Sequence, residues 1–421
     1  MTYRPKHHLT APQGRLNDPN GLTLAGDQLH VFYQHDPSFP LQPKRTGWGH
    51  AVTTLGSGEW RHFPMALYPD HPYDLNGCYS GSAVLDGDSL RLFYTGNLKR
   101  DGQRLTSQNI VDVHDIAGPM GGTYRRRANN PVIDGAPEGF TAHFRDPHVS
   151  RSADGTWRMA IGAQRTNHTG AVVLYTSADL DQWELAGALE FSGLNYNTAS
   201  AYMWECPNLL RMTDQATGEE LEVLVFCPQY PDSDECGYVV GTLDGTRFNV
   251  RTDFTPLDYG HQFYAPQLLP HGAGALALGW MGLPARDDTP SLAEEGWVHS
   301  LTLVRELVLI DGYLRTSLAI PKQPDMLVAT HELAGAPWSA ELVDVDGAVG
   351  AELAWQPQVG GRGVITLTVD GIARWAECAA GQLVLCADGA AVECTAGGGE
   401  VAFSAAVFSP GAAPWGELRV R

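Results

Sequence analysis

The chain has 421 residues, a formal net charge of -20, and a composition that is 43% hydrophobic and 18% charged. This acidity disfavours nucleic acid and anionic membrane surfaces as partners, and no stretch approaches the ~20 apolar residues of a membrane helix. The beginning of the chain lacks the apolar run of a secretory signal, so we expect a cytoplasmic protein. The 47 Gly and 27 Pro favour many short strands joined by turns, and therefore an all-β fold.

The seven cysteines are scattered and form no CxxC pair. This pattern predicts neither a disulfide framework nor a zinc site. We therefore expect free thiols and no bound metal.

One type of strand occurs five times along the chain. Most copies begin with polar or small residues and then become apolar, often aromatic. Their starts are separated by 53 to 67 residues, which fits four-stranded sheets with their turns, and five such sheets would make a propeller. The copies are DQLHVFYQH from Asp27, DSLRLFYTG from Asp88, GTWRMAIGA from Gly155, EELEVLVFC from Glu219 and GAGALALGW from Gly272.

Several copies are followed by a second strand with polar ends, which predicts β-hairpins. These second strands are GHAVTT near Gly49, GAVVLYTSADLDQW near Gly170, GYVVGTLDGTRF near Gly237 and WVHSLTLVREL near Trp297. The periodicity alone leaves open a generic β-sandwich with turns at similar intervals.

From about Pro321 the repeat stops and the composition shifts towards Gly, Ala and Val. Segments such as GVITLTVDGIARWAEC alternate in part between apolar and polar residues, which is typical of half-buried antiparallel strands. We predict a five-bladed propeller domain that carries the chemistry at 1–322, a linker at 323–332, and a small C-terminal β-sandwich domain at 333–421.

Three of the five repeats carry a carboxylic acid ahead of the repeated strand. Asp18 and Asp146 each lie nine residues ahead of it and each precede a proline, and Glu205 lies fourteen residues ahead of its strand. The other two repeats carry Ser80 and Tyr264 at this place. Because the innermost strands of a propeller share one axis, we expect these side chains to meet in one funnel.

Three carboxylates in one funnel oppose one another's ionisation, and this arrangement is costly unless chemistry needs it. Glycoside cleavage needs one protonated carboxyl to donate a proton and one ionised carboxyl to attack or support the anomeric carbon. The apolar setting of Glu205 beside Trp204 should raise its pKa and suits a proton donor. Asp18, which precedes a turn, suits attack, and the charge of Arg145 should keep Asp146 ionised.

Each motif also has a purely structural reading. Asp-Pro and Asn-Gly are ordinary turn dipeptides, and Arg145 with Asp146 is compatible with a surface ion pair. Aromatic residues near the repeat sites suit stacking on sugar rings, although core packing explains each of them equally well; they are Trp48, Tyr79, Trp204, Tyr264 and Trp280. The recurrence of acids at matching places in the repeat favours a functional site.

Seven motifs carry a family resemblance: LNDPNG at 16–21, WGHAV at 48–52, YSGSAV at 79–84, FRDPHV at 144–149, WECPNL at 204–209, FYAPQ at 263–267 and GWMGLP at 279–284. In this order they resemble the invertase and β-fructofuranosidase family, glycoside hydrolase family 32. The likeness covers roughly residues 7–322. Within it, EEGWVHSLTLVREL resembles the bacterial sucrose and sucrose-6-phosphate hydrolase branch.

The resemblance implies a five-bladed propeller with a C-terminal β-sandwich, and a retaining mechanism through a fructosyl-enzyme ester, with no metal or cofactor. It implies hydrolysis of terminal β-D-fructofuranosyl residues, with sucrose as the expected small-molecule substrate. Asp18 would be the nucleophile, Asp146 the transition-state stabiliser and Glu205 the acid/base. The residues implied to line the fructose pocket are Asn17, Gln34, Trp48, Tyr79, Ser80, Arg145, Tyr264 and Trp280.

Three alternatives remain at this point. The first is that the substrate is sucrose 6-phosphate. Its phosphate would need cations at the funnel rim. The cations in segments that could reach the rim are Lys44, Arg45, Lys99, Arg100 and Arg104. The second is transfer of fructose to another sugar, because a hydroxyl can intercept the same ester. The third is a carbohydrate-binding propeller without catalysis. We expect hydrolysis of the unphosphorylated sugar.

Overall fold

The computed structural model describes residues 2–41, 43–194, 201–322 and 324–421. Over these residues the chain consists of β-strands with a single α-helix, α1 (Pro290–Glu295), so the all-β prediction is confirmed. In the described part no helix is both long and apolar enough to cross a membrane. Residue 323, at which the predicted linker begins, lies outside the described residues.

The first three sheets follow one another along the chain, and their strands are mostly antiparallel hairpin neighbours. Sheet I contains β1 (Gly14–Ala25), β2 (Gln28–Asp36), β3 (Gly47–Thr54) and β4 (Arg61–Leu67). Sheet II contains β5 (Cys78–Asp86), β6 (Ser89–Arg100), β7 (Gln103–His114), β8 (Thr123–Arg126) and the short β9 (Ile133–Asp134). Sheet III contains β10 (Phe140–Arg151), β11 (Trp157–Arg165), β12 (Gly170–Ser177) and β13 (Glu184–Ala188).

Two further sheets complete this region. Sheet IV contains β14 (Glu190–Ser192), β15 (Met203–Thr213), β16 (Glu220–Gln229), β17 (Gly237–Asp244) and β18 (Arg247–Pro256). Sheet V begins with β19 (Tyr264–His271) and β20 (Gly274–Met281). After α1 come β21 (Trp297–Val298), β22 (Ser300–Leu301), β23 (Arg305–Ile310) and β24 (Tyr313–Leu318), of which the last three join sheet V.

The repeated motif corresponds to strands β2, β6, β11, β16 and β20, which pair with β1, β5, β10, β15 and β19 respectively. These strands read as nearly continuous apolar runs because both of their faces are covered; β11, for example, is buried from Trp157 to Gln164. The predicted hairpin partners are also strands. The segment from Trp297 is divided, since β22 and β23 pair with β20 whereas β21 pairs elsewhere.

The five sheets form a closed ring. Their inner strands, β1, β5, β10, β15 and β19, contact one another in that order, and β19 contacts β1. The ring is sealed by β21, which pairs in parallel with the beginning of β1 through Gly14 with Trp297 and Arg15 with Val298. The last part of this region therefore completes the first sheet.

The remaining strands form two stacked sheets. β25 (Leu327–Leu333) belongs to sheet VI, and sheet VII contains β26 (Trp338–Asp344), β27 (Val349–Pro357), β28 (Arg362–Val369) and β29 (Ile372–Ala379). β30 (Gly381–Asp388), β31 (Ala391–Ala396) and β32 (Val401–Ala406) complete sheet VI, and β33 (Trp415–Val420) joins sheet VII. Burial alternates along β28, because one face of this strand packs into a core that contains Trp355 and Phe403.

A buried charge cluster joins the ring to these two sheets. The imidazole of His8 lies between Asp388 (Nδ1 to Oδ2, 2.9 Å) and Glu393 (Nε2 to Oε1, 3.1 Å). Arg305 of β23 donates to Glu393 (Nε to Oε2, 3.0 Å) and to Asp258 (Nη2 to Oδ2, 2.8 Å). All five side chains are almost completely buried, so each charge depends on its partners.

Candidate active site

Each inner strand is interrupted by a β-bulge at its polar motif. The ladder register shifts between Leu16 and Pro19, Tyr79 and Gly81, Arg145 and His148, Glu205 and Asn208, and Tyr264 and Gln267. A bulge bends its strand and re-aims side chains. In three of the bulges the residue before the proline has a left-handed backbone, with φ of 67° at Asp146, 47° at Cys206 and 45° at Ala265.

These bulges direct the predicted residues into one cavity of about 250 Å³. Asp18, Asp146 and Glu205, which come from three different sheets, all line it. The other lining residues that the sequence predicted are Asn17, Gln34, Tyr79, Ser80, Arg145, Tyr264 and Trp280.

Glu205 is held by two neighbours. Arg145 donates to its Oε1 through Nε (2.9 Å) and Nη2 (2.5 Å), and the hydroxyl of Tyr264 donates to Oε2 (2.8 Å). Both Glu205 oxygens are therefore fixed, in a partly buried position at the cavity wall.

Asp18 and Asp146 lie on either side of one thiol. The Cys206 Sγ is 3.7 Å from Asp18 Oδ2 and 3.6 Å from Asp146 Oδ2, and the Cys206 N–H donates to Asp146 Oδ2 at 3.0 Å. Asn17 Nδ2 donates to Asp18 Oδ1 at 2.9 Å, and Ser80 donates to Asp18 Oδ2. Hydrogen bonds of this kind orient a carboxylate while leaving one of its faces open to the cavity.

Burial raises the pKa of Asp146 to about 7. The positive charge of Arg145 opposes this shift, and the negative charges of Glu205 and Asp18 reinforce it. The sequence led us to expect that Arg145 would keep Asp146 ionised. The structure gives the opposite direction for the pKa because Asp146 is only 6% exposed and Arg145 Nε lies 3.9 Å away, closer to Glu205 than to Asp146.

The acids are not strictly equivalent in the repeat. When the motifs are aligned on their prolines, Glu205 falls at the position of Arg145 and Tyr264, one residue ahead of Asp146. The strand register agrees, because Arg145, Glu205 and Tyr264 are each the last paired residue before a bulge. Three neighbouring sheets thus contribute Arg145, Glu205 and Tyr264, of which Arg145 and Tyr264 each donate to Glu205.

Trp48 does not line the cavity, in contrast to the prediction. Its side chain is fully buried, and its Nε1 donates to the carbonyl of Tyr79 at 3.1 Å. The indole packs near Phe32 and Tyr94. Trp48 therefore supports Tyr79 from behind.

Some lining residues were missed in the sequence, namely Arg15, Gln229, Pro284 and Ala285. Arg15 donates to Asn17 Oδ1 (2.6 Å) and to Asp287 Oδ1 (2.7 Å), and its guanidinium lies 5.1 Å from the Trp280 ring. Arg15 lies three residues before Asp18 on the same strand, and this position could have indicated that it lies near the site. Pro284 ends the GWMGLP motif, which was a further signal. Gln229 and Ala285 gave no comparable signal, because they reach the cavity only through the fold.

Of the five cations considered for a phosphate, Lys44 lines the cavity and the other four do not. Arg104 approaches the site indirectly, since its Nη1 is 3.3 Å from His143 Nδ1, which is itself 3.2 Å from Arg145 Nη1.

A second cleft, of about 280 Å³, lies where Phe254–Phe263 face the edge strand β29. It is slightly larger than the cavity at the acids. We place the chemistry in the smaller cavity because three carboxylates from separate sheets converge there.

Comparison with known proteins identifies the family. The model of the glycosyl hydrolases family 32 N-terminal domain matches residues 8–318. The chain belongs to glycosyl hydrolase family 32. The resemblance seen in the sequence motifs is thereby confirmed.

Curated family 32 relatives are similar over the ring of five sheets. The sucrose-6-phosphate hydrolase of Bacillus subtilis is 38% identical over 324 residues, which cover 73% of this chain and 63% of that protein. The raffinose invertase of Escherichia coli is 35% identical over 323 residues, covering 74% of this chain and 64% of that protein. The chain thus spans less than two thirds of the length of these relatives.

Among solved family 32 structures, a β-fructofuranosidase of Bombyx mori superposes with a TM-score of 0.79 at 29% identity, covering 98% of this chain and 90% of the other. A variant of the Bombyx mori enzyme in complex with sucrose superposes with the same score at 28% identity, covering 100% of this chain and 93% of the other. The likeness extends over both the ring and the C-terminal sheets.

Proposed function

We propose that this family 32 protein is a retaining glycoside hydrolase that removes terminal β-D-fructofuranosyl residues, with sucrose as its substrate. The observation that carries the proposal is the convergence of Asp18, Asp146 and Glu205 in one cavity. Two carboxyl groups are the minimum for this chemistry, and a third supports the positive charge that develops on the sugar. The names of the relatives, which include sucrose-6-phosphate hydrolases and a β-fructofuranosidase, agree with it.

In the proposed architecture, sheets I to V are the blades of a five-bladed propeller at 1–322. Sheets VI and VII form the C-terminal β-sandwich proposed at 333–421, except that β25 (Leu327–Leu333), the first strand of sheet VI, begins ahead of this boundary. The closed ring of inner strands and the stacking of the last two sheets support this division. The proposed linker at 323–332 includes most of β25, which pairs with β30.

In the proposed mechanism, Asp18 attacks the anomeric carbon of the fructosyl unit and Glu205 gives a proton to the leaving oxygen. Water, activated by Glu205 as base, then releases fructose from the Asp18 ester. Asn17 and Ser80 donate hydrogen bonds to Asp18 and so orient its carboxylate for attack. Tyr264 and Arg145 hold Glu205 at the wall of the same cavity.

Asp146 is the proposed stabiliser of the oxocarbenium-like transition state. It is the most buried of the three acids, and a charge acts most strongly where water is excluded. Burial and the neighbouring carboxylates raise the pKa of Asp146 to about 7, so Asp146 increasingly carries this charge as the pH rises through about 7.

A second candidate substrate is sucrose 6-phosphate. Lys44 lines the cavity mouth, and the Bacillus subtilis relative is named as a sucrose-6-phosphate hydrolase. An ammonium at this place suits a phosphate on the outer sugar.

The test is release of glucose, or glucose 6-phosphate, and fructose from sucrose and from sucrose 6-phosphate, measured as kcat/KM for the wild type and Asp18→Ala. Higher kcat/KM on sucrose and an inactive variant are the expected results. Preference for the phosphate moves the protein to the second candidate. Full activity of Asp18→Ala overturns the mechanism, and no release by the wild type overturns the proposed function.

A further inference from the structure

A second layer of polar side chains lies directly below the acids, one from each inner strand. We call these residues the polar belt; they are Asn20, Ser82, His148, Asn208 and Gln267. All five are at most 6% exposed. Each lies two or three residues after the motif residue of its strand, so the belt repeats with the sheets.

The belt connects sheet I to sheet II and sheet II to sheet III. Asn20 Oδ1 accepts from the N–H of Gly81 at 3.1 Å. The hydroxyl of Ser82 donates to the carbonyl of Pro147 at 2.9 Å and accepts from the N–H of Val149 at 3.0 Å.

The next two connections follow the same rule. His148 Nδ1 accepts from the N–H of Leu209 at 3.3 Å. Asn208 Nδ2 donates to the carbonyl of Pro266 at 2.8 Å, and Asn208 Oδ1 accepts from the N–H of Leu268 at 2.9 Å.

Gln267 closes the belt. Its Oε1 accepts from the N–H of Gly21 at 2.9 Å, and its Nε2 donates to Asn208 Oδ1 at 3.0 Å. The side chain of every inner strand thus bonds the backbone of the next one, and sheet V returns to sheet I.

Three of the belt's bonds fall on carbonyls that the bulges have removed from the strand ladder. Pro147, Cys206 and Pro266 are bulge residues, and their carbonyls accept from Ser82 (2.9 Å) or Asn208 (3.0 and 2.8 Å). A buried carbonyl without a partner costs roughly 1–3 kcal/mol, so the belt stabilises a backbone that would otherwise rearrange.

The bulges in turn fix the acids. Cys206, whose carbonyl accepts from Asn208, donates its N–H to Asp146 Oδ2. Asp146 and Cys206 hold left-handed φ values of 67° and 47°, which a residue with a Cβ keeps only where its surroundings demand it. The chain of contacts therefore runs from the belt through the bulge to the carboxylate.

The belt is not itself a binding site for sugar. The space enclosed between the belt and the acids is about 10 Å³, which accommodates one water at most. It forms the floor of the cavity.

We infer that the polar belt positions the catalytic carboxylates, and that Asn20, Ser82, His148, Asn208 and Gln267 are positioning residues for the proposed reaction. The inference rests on the proposed function for its kinetic readout. A displacement of about 1 Å in a catalytic group costs roughly 100-fold in rate. Loss of a belt contact should therefore lower kcat while leaving KM nearly unchanged.

The test compares Gln267→Met and Ser82→Ala with Ser82→Thr, which keeps the hydroxyl, and with Thr252→Val as matched control. Thr252 is buried and bonds the carbonyl of Gly312 at 2.7 Å, so it also connects two neighbouring sheets but lies outside the belt. For each variant we would measure kcat, KM, the pH profile of kcat and the melting temperature.

The expected result is a 10- to 100-fold lower kcat in Gln267→Met and Ser82→Ala, with KM within about threefold and an altered pH profile. Ser82→Thr should recover kcat, and Thr252→Val should lose stability at unchanged kcat. The inference is overturned if Gln267→Met and Ser82→Ala behave like Thr252→Val, or if Ser82→Thr is as slow as Ser82→Ala.

Crystal structures separate this inference from the proposed function. If the wild type hydrolyses no fructoside, the proposed function fails and the belt is judged on geometry alone. Displacement of the Asp18 or Asp146 carboxyl by about 1 Å in Gln267→Met, and not in Thr252→Val, would support the belt. Unmoved carboxyl groups would overturn it.

Discussion

At the scale of single residues, the site holds one carboxyl group in an unfavourable environment. Asp146 is buried among like charges, and its pKa rises to about 7 from an ordinary value of 3.8. A folded-state pKa above the unfolded one means that stability is fully present below pH 3.8 and is lost as the pH rises through about 7. The protein thus keeps a destabilising group at the place where the proposed mechanism develops positive charge on the sugar.

Asp146→Asn should therefore raise stability while lowering activity. Asn tolerates the left-handed backbone of this position, and it removes a charge whose burial costs on the order of 4 kcal/mol at pH 8. We expect kcat to fall roughly 100- to 1000-fold. The gain in melting temperature should grow between pH 4 and pH 7 and then level off. A gain that is independent of pH would contradict this account.

Lys44 is the residue expected to distinguish a phosphorylated from an unphosphorylated sugar. A charge-assisted hydrogen bond contributes roughly 1.5–3 kcal/mol, so Lys44→Ala should lower kcat/KM for sucrose 6-phosphate at least tenfold. The kcat/KM for sucrose should change less than threefold. The neighbouring Arg45, which does not line the cavity, provides the control Arg45→Ala. Equal losses on both sugars would show that Lys44 serves the shared part of the substrate.

At the scale of elements, the inner strands combine a continuous ladder with one bulge each. The sequence was sufficient to predict the repeated strands, because a strand covered on both faces must be apolar along most of its length, as β11 is. It was also sufficient to predict that Asp18, Asp146 and Glu205 converge, because the motifs of a ring face one centre, although Glu205 lies one position ahead of the other two acids.

The pairing of side chains within the site was not predictable. Arg145 is adjacent to Asp146 in sequence but donates to Glu205, because the bulge turns Asp146 towards Cys206. Trp48 is on a motif strand but lies behind Tyr79, since its indole fills space between sheets I and II. Such choices depend on bulge geometry and packing between sheets, which a motif does not encode.

Gly170, at the beginning of β12, packs closely against Trp204, the residue that precedes Glu205. A Cβ at this glycine would lie 2.1 Å from Trp204 Cδ1, and Trp204 also stacks on Phe226 at 4.4 Å. Gly170→Ala should displace Trp204 and, with it, the adjacent Glu205.

We expect Gly170→Ala to lower kcat at least tenfold. The control is Gly335→Ala, where a Cβ meets no heavy atom within 4 Å. Steady-state kinetics and melting temperature should be measured together. A variant with lower melting temperature but normal kcat would show that Trp204 moves without affecting Glu205.

At the scale of the whole molecule, the buried cluster at His8 couples the ring to the C-terminal sheets. Burial alone would lower the pKa of His8, but its bonds to Asp388 and Glu393 outweigh burial and raise the pKa to about 9. The stabilisation is fully present below pH 6.5, the unfolded value, and is lost as the pH rises through about 9. Its size is on the order of 3 kcal/mol.

His8→Gln should remove this part of the pH dependence. The melting temperature of the wild type should fall by several degrees between pH 6.5 and pH 9.5, and that of His8→Gln should start lower and change less. His7→Gln is the matched control, because the ring of His7 bonds the carbonyl of Gly58 and the N–H of Asp325 instead of carboxylates. Parallel curves for the wild type and His8→Gln would exclude His8 as the titrating group.

The two-residue strand β21 has a consequence for the order in which the protein is made. Proteins are synthesised from the N-terminal end, so β1 is made well before Trp297 and Val298, which pair with its edge. The carbonyl of Leu9 likewise lacks its partner until Leu301 has been made, whose N–H donates to it at 2.8 Å. Until β21 has been synthesised, the edge of β1 at Gly14 and Arg15 lacks its partner strand, and an unpaired edge invites association with other chains. The order of the strands thus leaves this edge uncovered until the last part of the ring is made.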